Sequence, residues 1–185
     1  MPQGPAARLA DNVAHPLPPV LTGSPGAVTV LIGMKPAWRG LPLAAVAALQ
    51  AAKTASDAVI KTAEVAATAA AGTPAGPAAK VAEQAAKTAA LAAMGAAITA
   101  AAGAGSDIHM CATPLPLPPH GPGVVIDGSA TVMINNLPAC RMADTILEAL
   151  GPPNKIVMGC MTVIIGGKFW RQNKTRSSLA VNEYA

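Results

Sequence analysis

Four side chains in this sequence have the chemistry to hold a soft metal ion: His15, His109, Cys111 and His120. His109 and Cys111 are two residues apart, so in an extended strand both project to one face. His120 follows the run Pro114-Leu115-Pro116-Leu117-Pro118-Pro119, which favours extended chain over helix. His15 stands four residues after Asp11 and Cys111 four after Asp107. Three imidazoles and one thiolate make the closed tetrahedral set that structural zinc prefers. Sulfur with nitrogen and no carboxylate favours zinc over magnesium or calcium. A closed set keeps no position for water, so such an ion would be structural, and its binding energy would become folding energy.

Spacing alone leaves other readings open. The histidines could be unrelated surface groups, because no paired local motif such as CxxC fixes the site. Cys111 with His109 or His120 can also be drawn as a nucleophile with its base. No GxSxG, HExxH or phosphate-loop pattern is present, and the chain is not expected to be an enzyme. Cys140 and Cys160 lie within or beside apolar strands and read as small buried hydrophobes.

The elements that must position these groups repeat. Gly23-Ser24, Thr29-Val30-Leu31-Ile32-Gly33 and Pro36-Ala37-Trp38-Arg39 correspond to Gly128-Ser129, Thr131-Val132-Met133-Ile134-Asn135 and Pro138-Ala139-Cys140-Arg141. A third copy reads Gly159-Cys160-Met161-Thr162-Val163-Ile164-Ile165-Gly166 and is expected to close at Phe169-Trp170-Arg171. Each β-branched run after glycine reads as a short strand, followed by a Gly or Asn turn where positive φ costs little. Arg8-Leu9-Ala10-Asp11 matches Arg141-Met142-Ala143-Asp144, and the middle copy is split between Arg39-Gly40 and Gly105-Ser106-Asp107. In this frame His15 and Cys111 share one position, and the third equivalent is Glu148, which is not expected to be a ligand.

The split is filled by an alanine-dominated stretch. High helix propensity and the break at Thr73-Pro74-Ala75-Gly76-Pro77 predict a helical hairpin. Lys53, Asp57, Lys61 and Glu64 share one face of its first arm, and Lys80, Glu83 and Lys87 one face of its second. Residues 88–106 are uncharged and close to membrane-spanning length, but alanine, glycine and threonine make them weakly apolar. A soluble or partner-covered hairpin is therefore expected ahead of a membrane span. The division is residues 1–40, a first segment and β-repeat; 41–103, the helical hairpin; 104–171, the rest of the β-body; and 172–185, a basic flexible tail.

Composition agrees with a body that needs a pin. Aromatic residues are 2% of the 185, while glycine and proline number 17 and 18. The apolar material suits thin layers, and small cores lean on metals or disulfides. Three irregularly spaced cysteines argue against a disulfide framework and fit a reducing cytoplasm. The net charge of +4 forms no basic stripe with interleaved aromatics, so no nucleic-acid partner is expected. The N-terminus lacks the apolar run of a Sec signal peptide.

The repeats and the His109-Met110-Cys111 … Pro119-His120-Gly121 segment resemble the PAAR-repeat proteins of type VI secretion systems. Residues 6–15, from Ala6-Ala7-Arg8 through Asp11 to His15, resemble the prePAAR motif AARxxDxxxH of effectors in which a helical, membrane-prone stretch precedes the PAAR domain. The resemblance covers residues 5–40 and 104–167. It implies a mainly β fold, a small pseudo-threefold cone of short strands with the helical hairpin inserted, seated on the trimeric VgrG spike. It implies one zinc ion near the apex, with ligands His15, His109, Cys111 and His120. It also implies an Eag-type chaperone on the 41–103 helices, effector or toxin cargo, transient membrane contact, and export from the cytoplasm through the secretion apparatus. The apolar strand ends Val132, Ile134, Val163 and Ile165 are expected to meet the threefold partner. The alternative is a membrane-inserting hairpin effector anchored by the β-domain. The chain departs from the family in reading His15-Pro16-Leu17 where related tips more often have HGG, and in its charged insertion. With no toxin domain after residue 171, it reads as a tip domain cut from a larger effector or as a free-standing adaptor.

Overall fold

A computed structural model describes residues 3–14, 20–103, 105–111 and 120–166. Ten short strands and two helices follow in the order β1 (Gly4–Ala6), β2 (Ala27–Ile32), β3 (Lys35–Ala37), α1 (Leu43–Ala69), α2 (Gly76–Ala102), β4 (Ile108–Cys111), β5 (Gly121–Val125), β6 (Met133–Ile134), β7 (Leu137–Pro138), β8 (Thr145–Glu148), β9 (Asn154–Lys155) and β10 (Cys160–Ile165). Two helices of 27 residues each hold more of the chain than all the strands, so the whole is mixed α and β rather than mainly β. The β character belongs to the body alone.

Each Thr-Val-x-Ile run forms one arm of an antiparallel hairpin. β2 pairs with β3, and β6 with β7. The third run departs from the expectation. Phe169-Trp170-Arg171 lie outside the described residues, and β10 pairs instead with the distant β1, Gly4 opposite Ile165. The third Pro-Ala-x-Arg element is therefore Pro5-Ala6-Ala7-Arg8, set beside Pro36-Ala37-Trp38-Arg39 and Pro138-Ala139-Cys140-Arg141. It is easily misplaced because it precedes every strand it resembles.

These three elements close a ring. Trp38 N donates to Ala7 O at 3.0 Å, Ala7 N to Cys140 O at 2.9 Å, and Cys140 N to Trp38 O at 3.0 Å. The flanking bridges run in the same cycle: Arg8 with Ala37, Arg39 with Ala139, and Arg141 with Ala6. Because these amides are buried, each must find a partner inside the body. The cyclic pattern satisfies all three at once.

Each arginine then folds back on an aspartate. Arg8 meets Asp11 at 2.9 Å, Arg39 meets Asp107 at 2.9 Å, and Arg141 meets Asp144 at 2.9 Å. In every copy the arginine backbone N–H also donates to the same carboxylate. Two of these pairs close a three-residue turn; Arg39 and Asp107 are 68 residues apart, and the chain between them leaves the body and returns. Burial pushes the Asp144 carboxyl up to about 6, against the opposing pull of Arg141. A matching glycine packs each hairpin. A Cβ on Gly26 would lie 2.8 Å from Pro36 Cβ, on Gly128 2.9 Å from Pro138 Cβ, and on Gly159 2.7 Å from Pro5 O.

Three apolar clusters lie behind this frame. Ile32, Ile134 and Ile165 meet with Ala6, Ala37 and Ala139 inside the hairpins. Trp38, Leu21, Val125, Ile146 and Ile156 pack around the ring. The third cluster joins the two parts of the molecule: Val46, Leu49, Met94, Ile98 and Ala102 of the helices bury against Val124, Leu147 and Ala149 of the body.

The helical hairpin turns two of its charges inward, while Asp57, Lys61 and Lys80 stay exposed. Lys53 is 6% exposed and Glu83 4% exposed. Lys87 bridges Glu83 of its own helix at 2.7 Å and Glu64 of α1 at 2.8 Å, and Lys53 pairs with Asp57. Val59, Val65 and Val81 lie on the outside, each at least 60% exposed. Both helices are long and apolar enough to cross a membrane by length and composition. Helical periodicity groups the charges correctly on shared faces, but it cannot say which face looks inward.

Candidate metal centre

β4, β5, β8 and β9 form one antiparallel sheet in that order. Its register aligns His109, Gly123 and Glu148 across three strands, and sets Cys111 opposite Gly121. Gly123 has no side chain between its neighbours; a Cβ there would lie 2.9 Å from Glu148 Cγ. His109 and Glu148 therefore reach across the middle strand, and His109 Nε2 lies 3.8 Å from Glu148 Oε1. His109 is 1% exposed and Glu148 fully buried.

His120 enters from just before β5. Its Nδ1 is 2.7 Å from Glu148 Oε2, and Asn154 Nδ2 on β9 donates to the same oxygen at 2.7 Å. The Cys111 thiol sulfur, a His120 nitrogen and a Glu148 carboxylate oxygen all lie within 4.8 Å of one another. Sulfur, nitrogen and oxygen donors of three residues thus converge, with His109 next to Glu148. Placing so many polar groups out of water is costly unless they bond each other or an ion. The donor set fits a thiophilic ion such as zinc better than a hard one.

Two of the four expected ligands, Cys111 and His120, stand in this cluster with Glu148, and His109 lies beside it. His15 lies outside the described residues; Ala14, just before it, donates its N–H to Lys155 O at 2.8 Å, one residue from Asn154. Glu148, expected to stand aside, sits in the middle of the cluster. The repeat frame marks its position, four residues after Asp144, but residue type directs attention away from it. Asn154 carries no signal in the sequence. Cys140 and Cys160 are buried elsewhere. Burial pushes the Cys140 thiol well above its usual range, in keeping with an inert small hydrophobe.

The expected partner residues divide by depth. Ile134 and Ile165 are buried, Val132 is half-buried and Val163 is exposed. Met34, Met133, Met161 and Ile164 add exposed apolar surface on the same three hairpins.

The PAAR motif family model matches residues 116–174, which span His120, Glu148 and two of the three Thr-Val-x-Ile runs. The chain carries a PAAR motif. That motif points to type VI secretion. Comparison with curated proteins and with solved structures gave no match. In this PAAR-motif chain the matched stretch supplies β5 to β10 and one element of the ring, at Cys140; the other two come from residues 4–8 and 36–39.

Proposed function

We propose that this chain is the tip of a type VI secretion spike, capping the VgrG trimer, sharpening it for membrane puncture, and carrying or linking an effector. The observation that carries the reading is the closed ring of Ala7, Trp38 and Cys140, which builds threefold symmetry into a single chain. One such body can match a trimer copy for copy, so one tip serves one spike. Val132 and Val163 belong to the apolar hairpin surface offered to the trimer, while Ile134 and Ile165 support it from within.

One structural zinc ion, held by His15, His109, Cys111 and His120, would tie the N-terminal segment to a sheet formed far along the chain. The ion would supply stability and no reaction. In this reading the chain waits in the cytoplasm, with an Eag-type chaperone over the 41–103 helices, and leaves through the secretion apparatus. Co-expression with a VgrG trimer should yield one chain per three spike subunits. The paired change Val132→Asp and Val163→Asp should abolish the complex while circular dichroism stays unchanged. A complex that survives both changes refutes the docking surface.

One observation favours the alternative of a membrane-inserting hairpin: Lys53 and Glu83 lie inside while Val59, Val65 and Val81 lie outside, although Asp57, Lys61 and Lys80 are exposed as well. Flotation with liposomes separates the readings, because a tip that depends on its spike and chaperone should show little spontaneous binding.

A further inference from the structure

We infer that Glu148 is a positioning residue for the apex ion: it orients the imidazole of His120 and supports that of His109 without being a ligand. The inference rests on the metal reading above. Zinc ligands at about 2.0–2.1 Å in a tetrahedron lie about 3.3 Å apart. His120 Nδ1 and Glu148 Oε2 lie 2.7 Å apart, the separation of a hydrogen bond and too close for two donors sharing one ion. A carboxylate oxygen only accepts, so the proton of the pair sits on Nδ1, and Nε2 becomes the donor atom His120 offers a metal.

The surroundings of His120 agree. Gly151, at φ +78°, stands beside that nitrogen, where a Cβ would lie 3.2 Å from Nε2. The absence of a side chain there leaves Nε2 room. On its other side Glu148 faces His109 across Gly123, so one carboxylate lies between two imidazoles. Asn154 fixes the carboxylate in turn from β9.

Charge gives an independent reason. A divalent ion with one thiolate and neutral imidazoles carries a net positive charge, which is costly to bury alone. A fully buried carboxylate beside it cancels that charge. The three repeats thus use one frame position in two ways. In the ligand set proposed above His15 and Cys111 ligate, and Glu148 orients.

The test uses the full chain with zinc and cobalt as probes. Chelator competition measures zinc affinity, and the visible spectrum of the cobalt-loaded protein reports the ligand atoms. Glu148→Gln should still bind one ion, roughly 10–100-fold more weakly, with cobalt band positions and the thiolate charge-transfer band unchanged. Asn154→Ala should weaken binding by a smaller factor with the same spectrum. Unchanged affinity in Glu148→Gln overturns the inference, as does a changed cobalt spectrum, which would make Glu148 a ligand. If Glu148→Gln does not fold, Asn154→Ala decides: weaker binding with the wild-type spectrum supports the role, and unchanged affinity refutes it. Wild-type protein that takes up no metal refutes the underlying site instead.

Discussion

The β-body and the helical hairpin solve the same problem, burying polar groups in a chain poor in aromatics, in opposite ways. The body places its polar groups on a symmetric frame. Three backbone bonds close the ring, and three arginines each clasp an aspartate, so each of these buried carboxylates has a partner fixed by the repeat. The hairpin has no such frame. Its charges pair across and along two helices, and Val59, Val65 and Val81 are left facing outward. The body offers one apolar end to cover. The hairpin exposes valines and alanines among scattered charges, over helices about 40 Å long, and is held at its root by Val46, Leu49, Met94 and Ile98. One region is made for stiffness, the other for an environment supplied by something else.

The contrast can be broken most severely at the metal. Excess chelator, or His15→Ala and Cys111→Ser, should remove about one zinc per chain and lower the melting temperature by about 10 °C or more. Far-UV helicity should fall less than the β-body's signals, because the hairpin helices do not contain the ligands. Mass spectrometry of metal content beside thermal melts reads both. Zinc retained without His15 would free the N-terminal segment from the site.

A smaller loss is expected from the frame. Arg141→Ala strips the counterion from buried Asp144 and should cost about 3–5 kcal/mol in chemical denaturation. Arg8→Ala and Arg39→Ala, whose side chains are 14% and 15% exposed, should cost less. Equal losses at all three positions would mean that symmetry, and not burial, sets the energy.

The smallest effect sharpens the hairpin side. Val59→Ser and Val81→Ser on the outer face should change stability by less than about 0.5 kcal/mol. They should nevertheless weaken whatever covers the helices, chaperone or lipid, in pull-down or flotation. A stability loss of several kcal/mol would show that this face packs within the chain.

Much of this architecture is legible in the residues themselves. The Thr-Val-x-Ile runs announce the hairpins because β-branched residues after glycine have few other uses. The alanine stretch announces helices because nothing in it resists them. Two features leave no such trace. β10 takes its partner from some 150 residues away, and pairing at that separation makes no local pattern. Glu148 is marked by its place in the frame, yet its role depends on Gly123, whose missing side chain matters only once the strands are in register.

The β1–β10 pairing also carries a consequence in time. β1 leaves the ribosome long before β10, and its strand pairing is completed only when β10 emerges, so this part of the body closes late. Contacts of such long sequence separation form slowly, whereas the helices between them can form as soon as they are made. A nascent chain thus presents a finished hairpin, with Val59, Val65 and Val81 exposed, while its body is still open. If the proposed chaperone covers that hairpin, its shielding would matter most during synthesis, before the body has closed.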